Sequence, residues 1–362
     1  MAYQTCVSPA RAVIPYWRSP REGIRLFHWG ELALPGTHIR AIDHAGLWAL
    51  AKADLGRGKP VPALVSHDRI LDLSARPETA GTGTVTELLE HWDTVLPVLA
   101  AVAADPRAPW RPLADASLYS PVEPRQVFQA GANYRTHVID LAVAHHDGSD
   151  GRSAEQARAD AAAAMDTRLS HPPFVFTGLP SAICGPYDDV VLPRDGEQPD
   201  WELELAAVIG RPTRRVAVTE ALDAVAGWVI VNDLTLRDKV FRVDAGPLGA
   251  DWLAAKNSPT FLPAGPLLVP RTAIPDPGDL QITLRLNGQV MQDESTKDMI
   301  FDVPRIIAHC SQVATLLPGD LVLTGSPAGN GLAHGRLLRP GDLMESAITG
   351  LGSQANRCVA EA

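Results

Sequence analysis

The sequence predicts a strand-rich α+β fold with few long helices, and three observations carry that expectation. The 362 residues include 29 glycines and 31 prolines, more than an ordinary share, with no collagen period, so the chain is cut into many short elements. Short apolar runs dominate the last two thirds: PFVFTG, DVVLP, DWELELAAVIG and GWVIVND each have strand length and composition. Within ITLRLNGQVMQ, Asn287-Gly288 supplies the positive φ angles of a tight hairpin turn. The composition is 46% hydrophobic and 20% charged. That is globular, and the length fits one large domain or two.

In chain order, Asp43 to Gly56 reads as an amphipathic helix. Ala63 to Ser74 reads as two strands around a His67-Asp68 turn. Thr84 and Glu87 form a capping pair before a helix carrying Leu88, Leu89, Trp92 and Val95. The prolines between Asp105 and Gln126 disfavour regular structure. A boundary is therefore expected there, separating a small N-terminal domain, 1–122, from a larger one, 123–362. Asn133 to His146 reads as a short helix or ordered loop. Ser153 to Leu169 is an alanine-rich helix opened by Ser153 and Gln156. Thr219 to Ala226 reads as a short helix closed by Gly227, and Asp302 caps a helix through Cys310. LPGDLVLTG and RPGDLMESAI each read as a turn and a strand, without establishing an internal repeat.

The net charge of -10 argues against nucleic acid and anionic membrane surfaces as partners. The apolar stretch Leu96–Ala104 is far short of a membrane span, and the first twenty residues hold no signal-peptide core. Cys6, Cys184, Cys310 and Cys358 form no CxxC and read as reduced thiols, so a cytoplasmic protein is expected. There is no Walker lysine loop, HExxH or GxSxG. The glycine-rich TGSPAGNG lacks dinucleotide-fingerprint spacing and, on spacing alone, reads as a turn between strands.

Chemistry enters with DWELELAAVIG. Residues two apart on a strand share a face, so Glu202 and Glu204 project together while Leu203 and Leu205 face away. Two adjacent carboxylates either edge a solvent-facing strand or share a cation, and oxygen ligands suit magnesium, manganese or calcium. Asp233, at the end of GWVIVND, is a turn cap or a third ligand. His137 and Asp140 are three residues apart, on one face of a helix. They are either a base with its orienting acid or a chance surface pair. His145-His146 has no spaced partner and reads as surface. Lys256, among small and apolar residues, either pairs with a substrate oxyanion or is an ordinary snorkelling lysine.

Taken together, six segments between about Gln129 and Asp342 resemble the fumarylacetoacetate hydrolase family, in the family's order. They are GANYRTHVID, DWELELAAVIG, AVAGWVIVNDLTLRD, AAKNSPTF followed by PAGPLLV, LNGQVMQDESTKDMIFDV and LLPGDLVLTGSPAGNG. The resemblance implies a mixed β-roll of layered strands behind a small variable N-terminal domain, usually as a homodimer. It implies one divalent cation, commonly Mg2+ or Mn2+ and sometimes Ca2+, on Glu202, Glu204 and Asp233. It implies His137 as water-activating base, Asp140 as its acidic partner and Lys256 as a binder of substrate oxygen. Thr324, with Ser326 beside it, falls in the loop that closes the site near substrate.

The implied activity is hydrolysis of a carbon–carbon bond in an acylpyruvate or related 1,3-diketo acid through a metal-bound enolate. The alternatives are decarboxylation, isomerisation or hydration of a 2-keto or dienoic acid on the same site, and a non-catalytic small-molecule-binding homologue. The chain departs from the family pattern at four places. Asp140 stands where Glu is usual and is one methylene shorter, Val240 stands where Gln is frequent, and Ser326 stands where Thr is usual. An insertion at about 147–170 follows the His-Asp element as a candidate lid. None of the four removes a metal ligand.

Overall fold

The computed structural model of the protein describes residues 47–362 except 80, 81, 145, 243, 245, 247 and 248. Among the described residues, twenty strands fall into five sheets. The first sheet holds β1 (Ala49–Asp54), β2 (Val61–Ser66), β3 (Arg69–Asp72), β4 (Arg111–Pro112) and β5 (Ser117–Tyr119), in the order β4-β3-β2-β1-β5. The central sheet runs β15 (Val269–Pro270), β12 (Val225–Asn232), β11 (Leu203–Ile209), β18 (Leu321–Leu323), β6 (Val127–Gly131) and β7 (Phe174–Gly178). A third sheet runs β17 (Gln289–Ser295), β16 (Gln281–Leu286), β19 (Leu343–Ile348), β20 (Gly352–Ala360) and β9 (Val190–Leu192). Two small pairs complete the set: β10 (Pro199–Asp200) with β13 (Thr235–Leu236), and β8 (Ile183–Cys184) with β14 (Leu262–Pro263).

The central sheet is buried on both faces, which explains its continuous apolar runs. Leu203, Leu205, Ala207 and Ile209 of β11 join one core with Trp228, Ile230, Phe128 and the inner residues of the third sheet. Ala206 and Val208 join another core with Val229, Val231, Val127, Leu321 and Leu323. Packed into this second core are Leu88 and Leu89 of α1 (Val85–Glu90), Trp92 and Leu99 of α2 (Trp92–Ala104), and Leu50 and Leu64 of the first sheet. By strand alternation Glu204 shares a face with Ala206 and Val208, at the end where the apolar side chains stop.

Several expectations hold. His67 takes φ 54° in the β2–β3 turn, and Asn287 and Gly288 take φ 53° and 82° in the β16–β17 hairpin. The segment after Asn133 is a helix, α3 (Arg135–Ala144). Ser153 and Gln156 form a complete capping box on α4 (Ala154–Asp166). Asp302 accepts from Arg305 N, 3.0 Å away, to open α7 (Val303–Val313). Thr84 accepts from Glu87 N as the cap of α1, but Glu87 turns to the N–H of Gly83.

Other expectations fail for tertiary reasons. The helix expected over Asp43 to Gly56 is strand β1 where it is described, its first four residues lying outside the described set. Ala49, Ala51 and Ala53 face one core and Leu50 the other. Small alanines can fill both faces of a strand, so the segment carries no clear period, and pairing to β2 and β5 overrides alanine's helix propensity. The proline-rich stretch 105–126 still forms the short strands β4 and β5. Gly227 does not end a helix. A 3-10 helix covers Val218–Ala224, and Gly227 lies inside β12, where a Cβ would sit 2.2 Å from the carbonyl oxygen of Val269. Here glycine allows β15 to approach β12 closely.

Candidate metal centre

Glu202, Glu204 and Asp233 meet at one end of the central sheet. Glu202 immediately precedes β11 and Asp233 immediately follows its neighbour β12, with Leu203 opposite Asn232 and Glu204 opposite Val231. The main chain fixes the meeting. Asp233 N donates to the carbonyl of Glu202 at 2.9 Å, and Glu202 N donates to Asn232 Oδ1 at 2.9 Å. All three acids are buried, and each offers a carboxylate oxygen within 4.8 Å of the others.

Two cations serve these acids. Lys256 closes the short helix α6 (Trp252–Lys256). Its Nζ donates to Glu202 Oε2 at 3.0 Å, to Asp233 Oδ2 at 2.8 Å and to the Asp233 carbonyl at 2.8 Å. Arg237 opens α5 (Arg237–Val240). Its Nη2 lies 2.6 Å from Glu202 Oε1, and its Nε donates to Asp200 Oδ2 at 2.9 Å. Neutral donors complete the shell. Gln129 Nε2 donates to Asp233 Oδ1 at 2.6 Å, and Gly325 N donates to Glu204 Oε2 at 2.7 Å. Gly325 has φ 90°, and a Cβ there would lie 3.1 Å from the Ala130 carbonyl. The TGSPAGNG loop is therefore part of the centre, beyond a turn between strands.

The electrostatics show what these acids are suited to hold. Burial works to raise the Glu202 pKa, but Lys256, Arg237 and His137 outweigh it and hold the carboxyl below its usual range. Glu204 is driven well above that range by burial and by Asp233. Asp233 is raised by burial, with Glu202 adding and Lys256 opposing. Burial opposes the Lys256 ammonium, yet Asp233, Glu202 and Glu204 keep its pKa raised. Fully ionised, the buried acids Asp200, Glu202, Glu204 and Asp233 exceed Lys256 and Arg237 by two charges. An all-oxygen donor set with that deficit suits one hard divalent cation. The residues therefore fit the ion implied by the resemblance.

His137, on α3, is buried with its Nδ1 lacking a hydrogen-bond partner. Burial pushes its pKa down to about 4; Arg237 and Lys256 add to the shift while Glu202 and nearby Asn330 oppose it. The ring is thus neutral near pH 7. Asp140 does not join it. Its Oδ1 accepts from Arg158 Nη2 of α4 at 2.9 Å, and a second ion pair, Arg135–Asp166 at 2.9 Å, also ties α3 to α4.

The Thr324 hydroxyl donates to the Leu205 carbonyl at 2.9 Å, and Ser326 Oγ accepts from Gln292 Nε2 at 3.0 Å. Both hydroxyls brace the loop. Val240 is buried on α5.

Sequence reasoning missed Asp200, Arg237 and Gln129. Asp200 accepts from Gly331 N at 2.6 Å as well as from Arg237, joining the loop to the centre. Gln129 is a buried amide inside the apolar strand VFQAG, and a lone polar residue in such a strand was its available signal.

The model of the fumarylacetoacetate (FAA) hydrolase C-terminal domain matches residues 126–359. The chain belongs to the fumarylacetoacetate hydrolase family. The mitochondrial oxaloacetate tautomerase of Bos taurus is 33% identical over 293 residues, covering 80% of this chain and 84% of that protein. The 2,4-didehydro-3-deoxy-L-rhamnonate hydrolase of Sphingomonas sp. (strain SKA58) is 41% identical over 196 residues, 53% of this chain and 67% of that one. Among solved structures, the maleylpyruvate hydrolase of Sphingobium sp. SYK-6, in complex with manganese(II) ion and pyruvate, matches with a TM-score of 0.64 and 28% identity. That match covers 87% of this chain and 100% of the other. The strand-rich α+β architecture of the family is therefore the fold of this chain, and its family members include hydrolases and tautomerases. Among the described residues no helix is long and apolar enough to cross a membrane.

Proposed function

We propose that the protein is a metal-dependent hydrolase that cleaves a carbon–carbon bond in an acylpyruvate or related 1,3-diketo acid. The observation that carries this reading is a buried His137 whose Nδ1 has no hydrogen-bond partner, with burial favouring its neutral form and Glu202, Arg237 and Lys256 in its field. In this reading Glu202, Glu204 and Asp233 hold the ion, Mg2+ first, with Mn2+ or Ca2+ as alternatives. When bound, the ion supplies positive charge to the 2-oxo acid head and to the enolate formed from it. Lys256 and Arg237 add donors beside the same charge. His137 Nδ1 takes a proton from water as that water attacks the distal carbonyl carbon. The bond between that carbon and the methylene then breaks, its electron pair passes to the pyruvate enolate, and the imidazolium returns the proton. The products are a carboxylic acid and pyruvate. The maleylpyruvate hydrolase relative, with its manganese and pyruvate, supports the substrate class.

A second reading is a tautomerase, decarboxylase or isomerase of a 2-oxo acid on the same centre. The engagement of Asp140 by Arg158 favours it, because His137 then lacks an acid partner for water activation, and the oxaloacetate tautomerase relatives point the same way. The decisive experiment assays acylpyruvates, oxaloacetate and dienoic acids with Mg2+ and with a chelator. Chelator-sensitive cleavage of an acylpyruvate supports the first reading. Accelerated keto–enol exchange or decarboxylation of oxaloacetate without such cleavage selects the second, and no turnover of any compound leaves a binding homologue.

The proposal extends to a cytoplasmic homodimer, with 1–122 as the small domain, 123–362 as the catalytic domain and 147–170 as a moving lid. The free, buried Cys184, Cys310 and Cys358 are compatible with a reducing compartment. Light scattering should give twice the 38.7 kDa chain mass.

A further inference from the structure

We propose that the substrate's distal end is an aromatic or extended apolar group, received on a platform of Phe174, Phe176 and Trp252. The proposal rests on the 2-oxo acid reading of the centre, which would hold the other end of the same molecule.

The platform is continuous with the centre by two routes. On the central sheet Phe176 lies opposite Gln129, and Phe174 opposite Gly131. Directly opposed residues of an antiparallel pair share a face, and the Gln129 side chain reaches Asp233. The two phenylalanines therefore extend from the face that carries the carboxylates. On α6, Trp252 and Lys256 are four residues apart and so lie on one side of the helix. Lys256 Nζ, bonded to Glu202 and Asp233, lies 6.0 Å from the centroid of the Phe176 ring.

The rings form a surface. Phe176 and Trp252 stack with centroids 4.6 Å apart and planes 17° apart, and Phe174 leans on Trp252 at 6.0 Å and 53°. Gly131 admits this arrangement, since a Cβ there would lie 2.9 Å from Phe174 Cδ1. Phe174 remains 45% exposed, while Phe176 and Trp252 are half-buried. Partly exposed aromatic surface beside a polar centre is suited to packing against a flat or apolar group. In a 1,3-diketo acid a single methylene separates the 2-oxo carbon from the acyl carbon, so the group beyond the acyl carbon would reach these rings.

Pyruvate and phenylpyruvate, which contain no 1,3-diketone to cleave, are titrated by calorimetry into the Mn2+-loaded protein. Phenylpyruvate should bind more tightly. Phe176→Ala and Trp252→Ala should each reduce its advantage over pyruvate by about 2- to 13-fold, with Phe176→Leu falling between. An unchanged ratio in the variants, or preference for pyruvate in the natural protein, overturns the platform. So does a fall in particle mass on Trp252→Ala with the ratio unchanged, which would assign the rings to a subunit contact. If phenylpyruvate wins while no diketo acid is cleaved, the platform stands and the hydrolase reading fails.

Discussion

Replacing Lys256 by methionine removes a buried ammonium at nearly constant volume. Its Nζ lies within 3.0 Å of carboxylate oxygens of both Glu202 and Asp233, and the side chain is 2% exposed. Breaking one side of such a buried pair costs about 3–5 kcal/mol, because the remaining charges stay buried without a partner. For 362 residues, the unfolding entropy near 60 °C is roughly 0.8 kcal/mol per kelvin, so this cost lowers Tm by about 4–7 °C. That loss is expected in a chelator, where the four buried acids are left with Arg237. With saturating Mg2+ or Mn2+ a divalent charge replaces the missing one, and the gap between variant and natural protein should shrink by more than half. Scanning calorimetry of both proteins, with chelator and with metal, tests this. If Lys256→Met lowers Tm equally under both conditions, the cation does not occupy the field of these carboxylates and the charge reasoning fails.

Four further outcomes follow from the structure. His137→Ala should lower turnover about 10²–10⁴-fold while leaving metal affinity by calorimetric titration within a few-fold. Because burial pushes the His137 pKa down to about 4, the base stays neutral well below pH 6.5. The acidic limb of kcat/KM should therefore fall nearer pH 4 than pH 6.5, as a pH-rate profile would show. Asp140→Asn should cost less than about tenfold in kcat, because its carboxylate serves the half-exposed Arg158 rather than His137; a loss as large as that of His137→Ala would contradict this arrangement. Gly227→Ala, which forces a Cβ to 2.2 Å from the Val269 carbonyl, should destabilise by about 1–3 kcal/mol or more in urea unfolding.

What could be read from the sequence depended on how local the cause was. Glu202 and Glu204 were legible because strand alternation alone puts them on one face, and Asp233 because it ends an apolar strand. The neighbours that set their charges were not. Lys256 was expected to meet substrate oxygen, but its bond to Glu202, 54 residues away, had no local signal. Arg237 and Asp200 meet across the β10–β13 pair, and no local period marks them. The His137–Asp140 spacing was also correctly helical. The pairing nevertheless goes elsewhere, because α4 brings Arg158 to Asp140 while His137 turns into the buried side. In β1 the local signal misled, since its alternating alanines have high helix propensity and only the two cores around them reveal a strand.

The elements that build the carboxylate centre differ from those that surround it. Glu202, Glu204, Asp233 and the N–H of Gly325 are set by β11, β12 and β18, whose main chains are hydrogen-bonded to one another. His137 and Asp140 come from α3, which is tied to α4, while the aromatic rings come from β7 and α6. In the proposed reading, polarisation of a 2-oxo acid head needs the first set together with Lys256 and Arg237. Whether water is then activated, a proton merely moved or a bulky acyl group accepted depends on the second. In that reading a change in α4 or β7, or at Trp252 on the far end of α6 from Lys256, can redirect the reaction without removing a partner of the carboxylates. This gives a physical reason why relatives named as tautomerases and hydrolases share one architecture.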